Sequence, residues 1–187
     1  MLRKVDGRLE GPFPAYSDYY RSKGVLARAI MPITKWLRAI QAEKFMAARD
    51  THLDIGCGDG YFIKRSKCRS CYGLDSLYGD NFDSQLNFAD DFFDYVTMLA
   101  VVEHLPNLEG AIREIHRVLK PGGKFIFTTP KKSAEWLITL YAREAKEEHL
   151  EYFDLESIKH LSQRLFRVES YQTFCLGLNQ LFCLLKG

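Results

Sequence analysis

No stretch of this 187-residue chain approaches the about 18 to 20 consecutive apolar residues that a membrane-spanning helix needs. Its first residues, MLRKVDGRLEG, lack the apolar core of a secretory signal, so a cytoplasmic location without stable membrane insertion is expected. Cysteine is sparse and odd in number: the five lie at 57, 68, 71, 175 and 183, which argues against a complete disulfide framework and for reduced thiols. Cys68 and Cys71 form a C-x-x-C, but no second pair or histidine cluster completes a zinc site, and no metal is expected. Charge of one sign is also scarce. With 26 basic and 24 acidic residues the net charge is +2, so the chain lacks the footprint of a dedicated nucleic-acid binder. What remains is an ordinary globular composition, 47% apolar and 27% charged, at a length suited to one domain.

The basic residues are concentrated early, ten against five acidic in residues 1–50. There Leu26, Ile30, Ile33, Leu37 and Ile40 recur at helical spacing, and Pro32 predicts a break or kink. Segment 1–49 reads as a helical cap on the single domain 1–187. Its helix either packs with a solvated basic face or meets an anionic surface or substrate. Beyond residue 50, strands are predicted near 51–55, 71–75, 93–99 and 123–129. Between the last two, Ala111, Ile112, Ile115, Val118 and Leu119 form a helical stripe stopped at Lys120-Pro121-Gly122-Gly123. Helices are expected at about 133–146 and after Asp154, a candidate N-cap, followed by an antiparallel hairpin turning at Leu176-Gly177-Leu178. Alternating strands and helices imply a mostly parallel sheet covered on both faces.

The most informative stretch is Thr51-His52-Leu53-Asp54-Ile55-Gly56-Cys57-Gly58-Asp59-Gly60. An apolar strand runs into spaced glycines and then a helix, which lets backbone approach a ligand and offers helix N–H groups. Asp75 ends the next strand, where an acidic side chain accepts from ribose hydroxyls. A dinucleotide fingerprint would need glycine at position 61, which is Tyr61. The observed run is D-x-G-x-G-x-G, and the acidic Asp54 suits a ligand bearing an ammonium group better than a pyrophosphate.

With these residues the chain resembles the class I S-adenosylmethionine-dependent methyltransferases, in particular the small type 11 group. LDIGCGDGYF looks like the family's first motif, YGLD like its second strand, FFDYVTMLAVVEHLPN like its fourth strand and loop, and LKPGGKFIFTTP like its fifth. The resemblance implies a Rossmann-like, doubly wound, seven-stranded α/β sheet, abbreviated in places, ending in the hairpin. It further implies S-adenosylmethionine as cofactor, with Asp54, Gly56, Cys57, Gly58 and Gly60 facing the methionine portion, Asp75 the ribose, and Ala100 and Val101 lining the loop near the sulfonium. One departure stands out: only 18 residues separate Asp75 from Asp94, too few for the usual helix, third strand and loop. Asp83 is the nearest candidate for the adenine-contacting acid, with Asp80 and Asp90 as rivals.

Methyl transfer asks mainly for alignment, with a base only when the acceptor carries a proton at neutral pH. His104 and His149 are the candidate bases, and either is equally a structural histidine. Tyr16, Tyr19, Tyr20, Trp136, Tyr141 and Tyr152 are candidates to wall a pocket or simply to fill the core. The leading function is methyl transfer by in-line displacement to a small-molecule or lipid- or saccharide-linked acceptor. A non-catalytic cofactor-binding partner or regulator and, less favoured, an NAD-dependent oxidoreductase are the alternatives.

Overall fold

In the computed structural model, which describes residues 1–5, 8–10, 25–76, 79–80, 85–135 and 152–187, the chain opens with β1 (Leu2–Val5) and β2 (Arg8–Glu10). Helix α1 (Val25–Glu43), β3 (Thr51–Ile55), the short α2 (Tyr61–Arg65) and β4 (Ser70–Leu74) follow. Then come β5 (Phe93–Leu99), α3 (Leu108–Val118), β6 (Leu119–Pro130), α4 (Leu155–Ser162), β7 (Phe166–Phe174) and β8 (Asn179–Lys186). One sheet holds the eight described strands in the order β2-β1-β4-β3-β5-β6-β8-β7. Its centre, β4-β3-β5-β6, is parallel, and β8 runs antiparallel between β6 and β7. Six of the seven residues of β5 are buried, as a central strand covered on both faces requires.

The two faces carry separate cores. Leu53, Ile55, Val96, Phe125 and Phe127 meet Ile112 and Ile115 of α3 and Ile158 of α4 on one face. Tyr95, Ile126 and Cys183 meet Ala39 and Ala42 of α1 and Phe62 and Ile63 of α2 on the other. The Rossmann-like, doubly wound α/β fold with its C-terminal hairpin is therefore as expected. The helix after Asp154 is also present: Asp154 accepts from Ser157 N at 2.8 Å and Ser157 Oγ accepts from Asp154 N at 2.9 Å, a reciprocal cap.

Four expectations are corrected. Part of the expected helical cap is strand: its residues form β1 and β2, which bring the sheet to eight strands among the described residues. Among the described residues after Asp75, none forms a strand beside β4. β1 pairs there antiparallel, from Leu2↔Gly73 to Val5↔Ser70. Helix α1 runs through Pro32 without a break, because Pro32 and Arg28, whose carbonyl loses its partner, are both exposed. Its faces also depart from the simple amphipathic reading: Ile33 and Trp36 are 58% and 47% exposed, whereas Lys35 and Arg38 turn toward the molecule. Finally, β6 begins at Leu119, so Pro121-Gly122-Gly123 form a register shift inside a strand instead of a separating turn. Of the helix expected at 133–146, a single 3-10 turn at Lys132–Ala134 is described; residues 136–151 lie outside the described set.

Candidate active site

Strand β3 delivers Asp54 to the sheet centre, 3% exposed, where Thr97 of β5 donates to its Oδ1 at 2.6 Å. The same hydroxyl lies 2.8 Å from His52 Nε2, and His52 Nδ1 lies 3.1 Å from Ser66 Oγ. Burial pushes the Asp54 carboxyl up to about 7, with the Asp75 charge adding to the rise, and pulls His52 down to about 3. Neutral His52 with a proton on Nε2 fits this chain: Ser66 donates to Nδ1, Nε2–H donates to Thr97, and Thr97 donates to Asp54. The sequence reading missed His52 and Thr97, since both sit at positions that look like ordinary strand interior.

The glycine turn after β3 is closed on itself. Gly56 N and Cys57 N donate to Leu74 O at 2.8 and 3.1 Å, Gly60 N donates to Cys57 O at 2.9 Å, and Gly58 N donates to Asp75 Oδ2 at 2.7 Å. The expected row of open N–H groups is thus largely spent inside the protein, and α2, five residues long, adds little dipole. Gly58 adopts φ 52°, where a branched residue is strained. At Gly56 the need is also spatial: a Cβ there would lie 2.2 Å from Val101 Cγ2. Val101 therefore packs on the glycine turn, and Ala100 before it is held at φ 62°, left-handed without being glycine. Burial raises the Cys57 thiol far above its usual range, so it acts as an inert apolar packer.

Asp75 closes β4 beside this turn, 7% exposed, and its own N–H donates to Asp80 Oδ2 at 3.2 Å. Next to it lies a cavity of about 310 Å³ lined by Met1, Leu74, Asp80, Gln85, Leu86, Asn87 and Phe88. Apolar walls with a few polar edges suit a flat heterocycle. Its outer wall is held from α3: Arg117 donates to Leu86 O and Phe88 O, each at 2.8 Å, and Glu114 Oε2 accepts from Leu86 N at 2.9 Å. The sequence reading did not single out Glu114 or Arg117, which sit off the apolar stripe of α3. Of the adenine candidates, Asp83 lies outside the described residues, Asp80 lines the cavity, and Asp90 instead pairs with Arg117 at 2.7 Å with its side chain 73% exposed. Asp94 accepts from Thr51 and Lys120 at the start of β5.

Helix α1 lies over the glycine turn: Lys35 Nζ is 2.6 Å from Asp59 Oδ1 and 4.9 Å from the Tyr61 ring centre. The loop after β5 places Val102–His104 in a 3-10 turn, with Glu103 2% exposed. Of the candidate bases, His104 is half-buried in that turn, while His149 lies outside the described residues, as do Tyr16, Tyr19, Tyr20, Trp136 and Tyr141. Tyr152 is described, and burial and the charges of Glu135 and Glu103 raise its phenol.

A sheet with a parallel centre whose order reverses between β3 and β5, with a glycine turn at that point and an acidic residue ending the neighbouring strand, is the arrangement of a class I S-adenosylmethionine-dependent methyltransferase domain. The family model for a methyltransferase domain matches residues 27–165, and this chain belongs to that family. Curated relatives include a sterol 24-C-methyltransferase of Neurospora crassa, 36% identical over 81 residues (43% of this chain, 17% of that protein). Another is a demethylmenaquinone methyltransferase of Staphylococcus epidermidis, 36% identical over 64 residues (34% of this chain, 26% of that protein). The chain thus spans only 17% and 26% of the length of these relatives. Among solved structures, the methyltransferase in complex with the Trm112 activator of Haloferax volcanii superimposes with a TM-score of 0.72 at 16% identity, covering 94% of this chain and 99% of that one. Phosphoethanolamine N-methyltransferase 2 of Haemonchus contortus, in complex with S-adenosyl-L-methionine, gives 0.62 at 15% identity, covering 81% and 52%. These likenesses establish the fold.

Proposed function

We propose that this chain catalyses methyl transfer from S-adenosylmethionine to a small-molecule acceptor, lipid- and saccharide-linked molecules included. The observation that carries the reading is the latch between Asp75 and Gly58, set between a buried carboxylate and the cavity beyond Leu74. The residues fit the cofactor. Asp54, with Gly56, Cys57, Gly58 and Gly60 beside it, would face an ammonium-bearing portion. Asp75 would accept from ribose hydroxyls, Leu74, Leu86 and Phe88 would enclose the purine, and Asp80 would meet its edge. When bound, the cofactor supplies a methyl group activated on a sulfonium centre. The protein's part is alignment: Val101, wedged on Gly56, and Ala100 would fix the floor beneath the acceptor, and α1, anchored through Lys35, would cover it and exclude water.

The non-catalytic alternative rests on the short span after Asp75. A cavity persists beside that span and β1 restores the sheet edge, which supports the catalytic reading. We place the enzyme in the cytoplasm, as its five free thiols, four of them buried, suit a reducing compartment. No described helix is long and apolar enough to cross a membrane. Calorimetry with S-adenosylhomocysteine, S-adenosylmethionine and NAD tests the assignment: the first two bind and NAD does not. Preferential NAD binding would replace it with the oxidoreductase reading, and cofactor binding without turnover across a broad acceptor panel would favour the regulator.

A further inference from the structure

His52 and Asp54 lie two residues apart on β3, so both side chains point to the same face of the sheet, and Thr97 sits opposite Asp54 on the neighbouring β5. With Ser66, just after α2, they form one buried line. Ser66 Oγ is 3.1 Å from His52 Nδ1, His52 Nε2 is 2.8 Å from Thr97 Oγ1, and Thr97 Oγ1 is 2.6 Å from Asp54 Oδ1. The far end is fixed by a group that can only donate, the backbone N–H of Cys68, 3.3 Å from Ser66 Oγ. Phe62 of α2 holds the imidazole edge-on, with ring centres 5.6 Å apart. An apolar β-branched residue is the ordinary occupant of such a strand interior, and a fully buried imidazole costs desolvation there.

Proton counting gives the line a direction. A hydroxyl has one proton to give. Ser66 accepts from Cys68 N–H and gives its proton to Nδ1, which leaves the imidazole proton on Nε2 for Thr97, and Thr97 then gives its own to Asp54. Every donor thus points toward the carboxylate and favours its charged form. A protonated Asp54 donating to Thr97 would reverse the line, putting a proton on Nδ1 and turning the Ser66 proton away. Hydrogen bonds in such a chain polarise one another, so Ser66 and His52 act on Asp54 through Thr97.

We infer that His52 is a positioning residue for the cofactor: it fixes the Thr97 hydroxyl as a donor to Asp54 Oδ1, keeping that carboxylate ionised and its other oxygen for the cofactor's ammonium group. Burial works against this, raising Asp54 to about 7, and the same burial keeps His52 neutral, as the line requires. The other groups facing the line are Asp75 of β4, Asp59 of the glycine turn, Lys35 of α1 and the thiols of Cys57 and Cys71 around Asp54, with Lys4 of β1 near His52. All of them stay in place when His52 alone is replaced, so a change in pH profile reports the line itself.

The inference rests on the methyltransferase reading, so S-adenosylhomocysteine is first titrated into the full wild-type chain by calorimetry; no binding removes that reading. The ring proton of His52 is then located by nitrogen-15 NMR of the complex, its signals assigned by their loss in His52→Gln, and is expected on Nε2. Affinity is next followed from about pH 6 to about pH 8.5 in wild type, His52→Gln, whose amide can replace Nε2–H, and His52→Asn, which reaches Ser66 but not Thr97. Relative to wild type, His52→Asn should bind about three- to sixfold more weakly at about pH 7 and less than about 1.5-fold more weakly at about pH 8.5, as the Asp54 midpoint moves up by about one pH unit or slightly less. His52→Gln should restore the wild-type profile to within about twofold. A merely structural histidine would lower Tm in both variants and weaken binding by one factor at every pH. A proton on Nδ1 in the complex, a pH-independent loss in His52→Asn, or an equal shift in both variants overturns the inference alone. Should His52→Asn not fold, the ring-proton position in wild type decides.

Discussion

The two halves of the sheet's ligand-binding edge, at the C-terminal ends of the parallel strands, are built differently. On the β3–β4 side the polar groups are paired: Asp75 with Gly58, Asp54 with Thr97, Thr97 with His52, His52 with Ser66. On the β5–β6 side Arg38 Nε and Thr128 Oγ1 are buried without a hydrogen bond, and Glu103 and Thr129 meet only each other. A half ordered before its ligand arrives binds it at lower entropic cost, whereas buried polar groups left without partners cost stability. That contrast can be broken or sharpened at several points.

The largest effect is expected at Gly58→Val. The left-handed φ and the bond to Asp75 are both lost, so S-adenosylhomocysteine binding should fall below calorimetric detection while the protein still unfolds cooperatively. Asp75→Ala should weaken binding by about 1.5 to 3 kcal/mol, roughly 10- to 150-fold, and Asp75→Asn by less, since an amide oxygen still accepts. Equal loss in the two variants would place the ribose contact elsewhere.

Titration supplies the next effect. Asp54 is raised from 3.8 to about 7, so the unfolded chain ionises first and stability falls as pH rises between those values. His52 is lowered from 6.5 to about 3, so its contribution is complete above 6.5 and is lost as pH falls toward 3. The slopes oppose each other, and wild-type denaturant midpoints should change little between about pH 4.5 and 6.5. Asp54→Asn should uncover the histidine slope, about 1.4 kcal/mol per pH unit at most, with stability rising with pH. The same variant should flatten the affinity for S-adenosylmethionine, which in wild type increases as pH passes through about 7. The smallest effect lies in the loop after β5: Ala100→Gly relieves a left-handed alanine and should stabilise the fold by up to about 1 kcal/mol, read from urea midpoints.

Much of the paired half was legible in the sequence because its chemistry is local. D-x-G-x-G-x-G and Asp75 sit within one strand-turn-strand unit, and the spacing of glycines against Tyr61 separates this turn from a dinucleotide fingerprint. Helix α3 and the Asp154 cap were equally readable from periodicity and N-cap chemistry. What escaped depends on contacts distant in sequence. His52 meets Thr97 across 45 positions, Arg117 holds Phe88 across 29, and β1 reaches Gly73 from the far end of the chain. The unbonded Thr128 hydroxyl could not be anticipated, since an interior strand threonine usually finds a bond. The helical cap went wrong at β1 because a four-residue strand has too little alternation to register, and the β4 edge it pairs with is distant in sequence.

The account stands on Asp75 as the cofactor's anchor, and one calorimetric comparison addresses it: S-adenosylhomocysteine titrated into wild type, Asp75→Ala and Asp90→Ala. Asp90 carries an equal charge in the same stretch but points outward to Arg117. The expected result is at least about tenfold weaker binding for Asp75→Ala and wild-type affinity for Asp90→Ala. Unchanged binding in Asp75→Ala, or an equal loss in both variants, would contradict it.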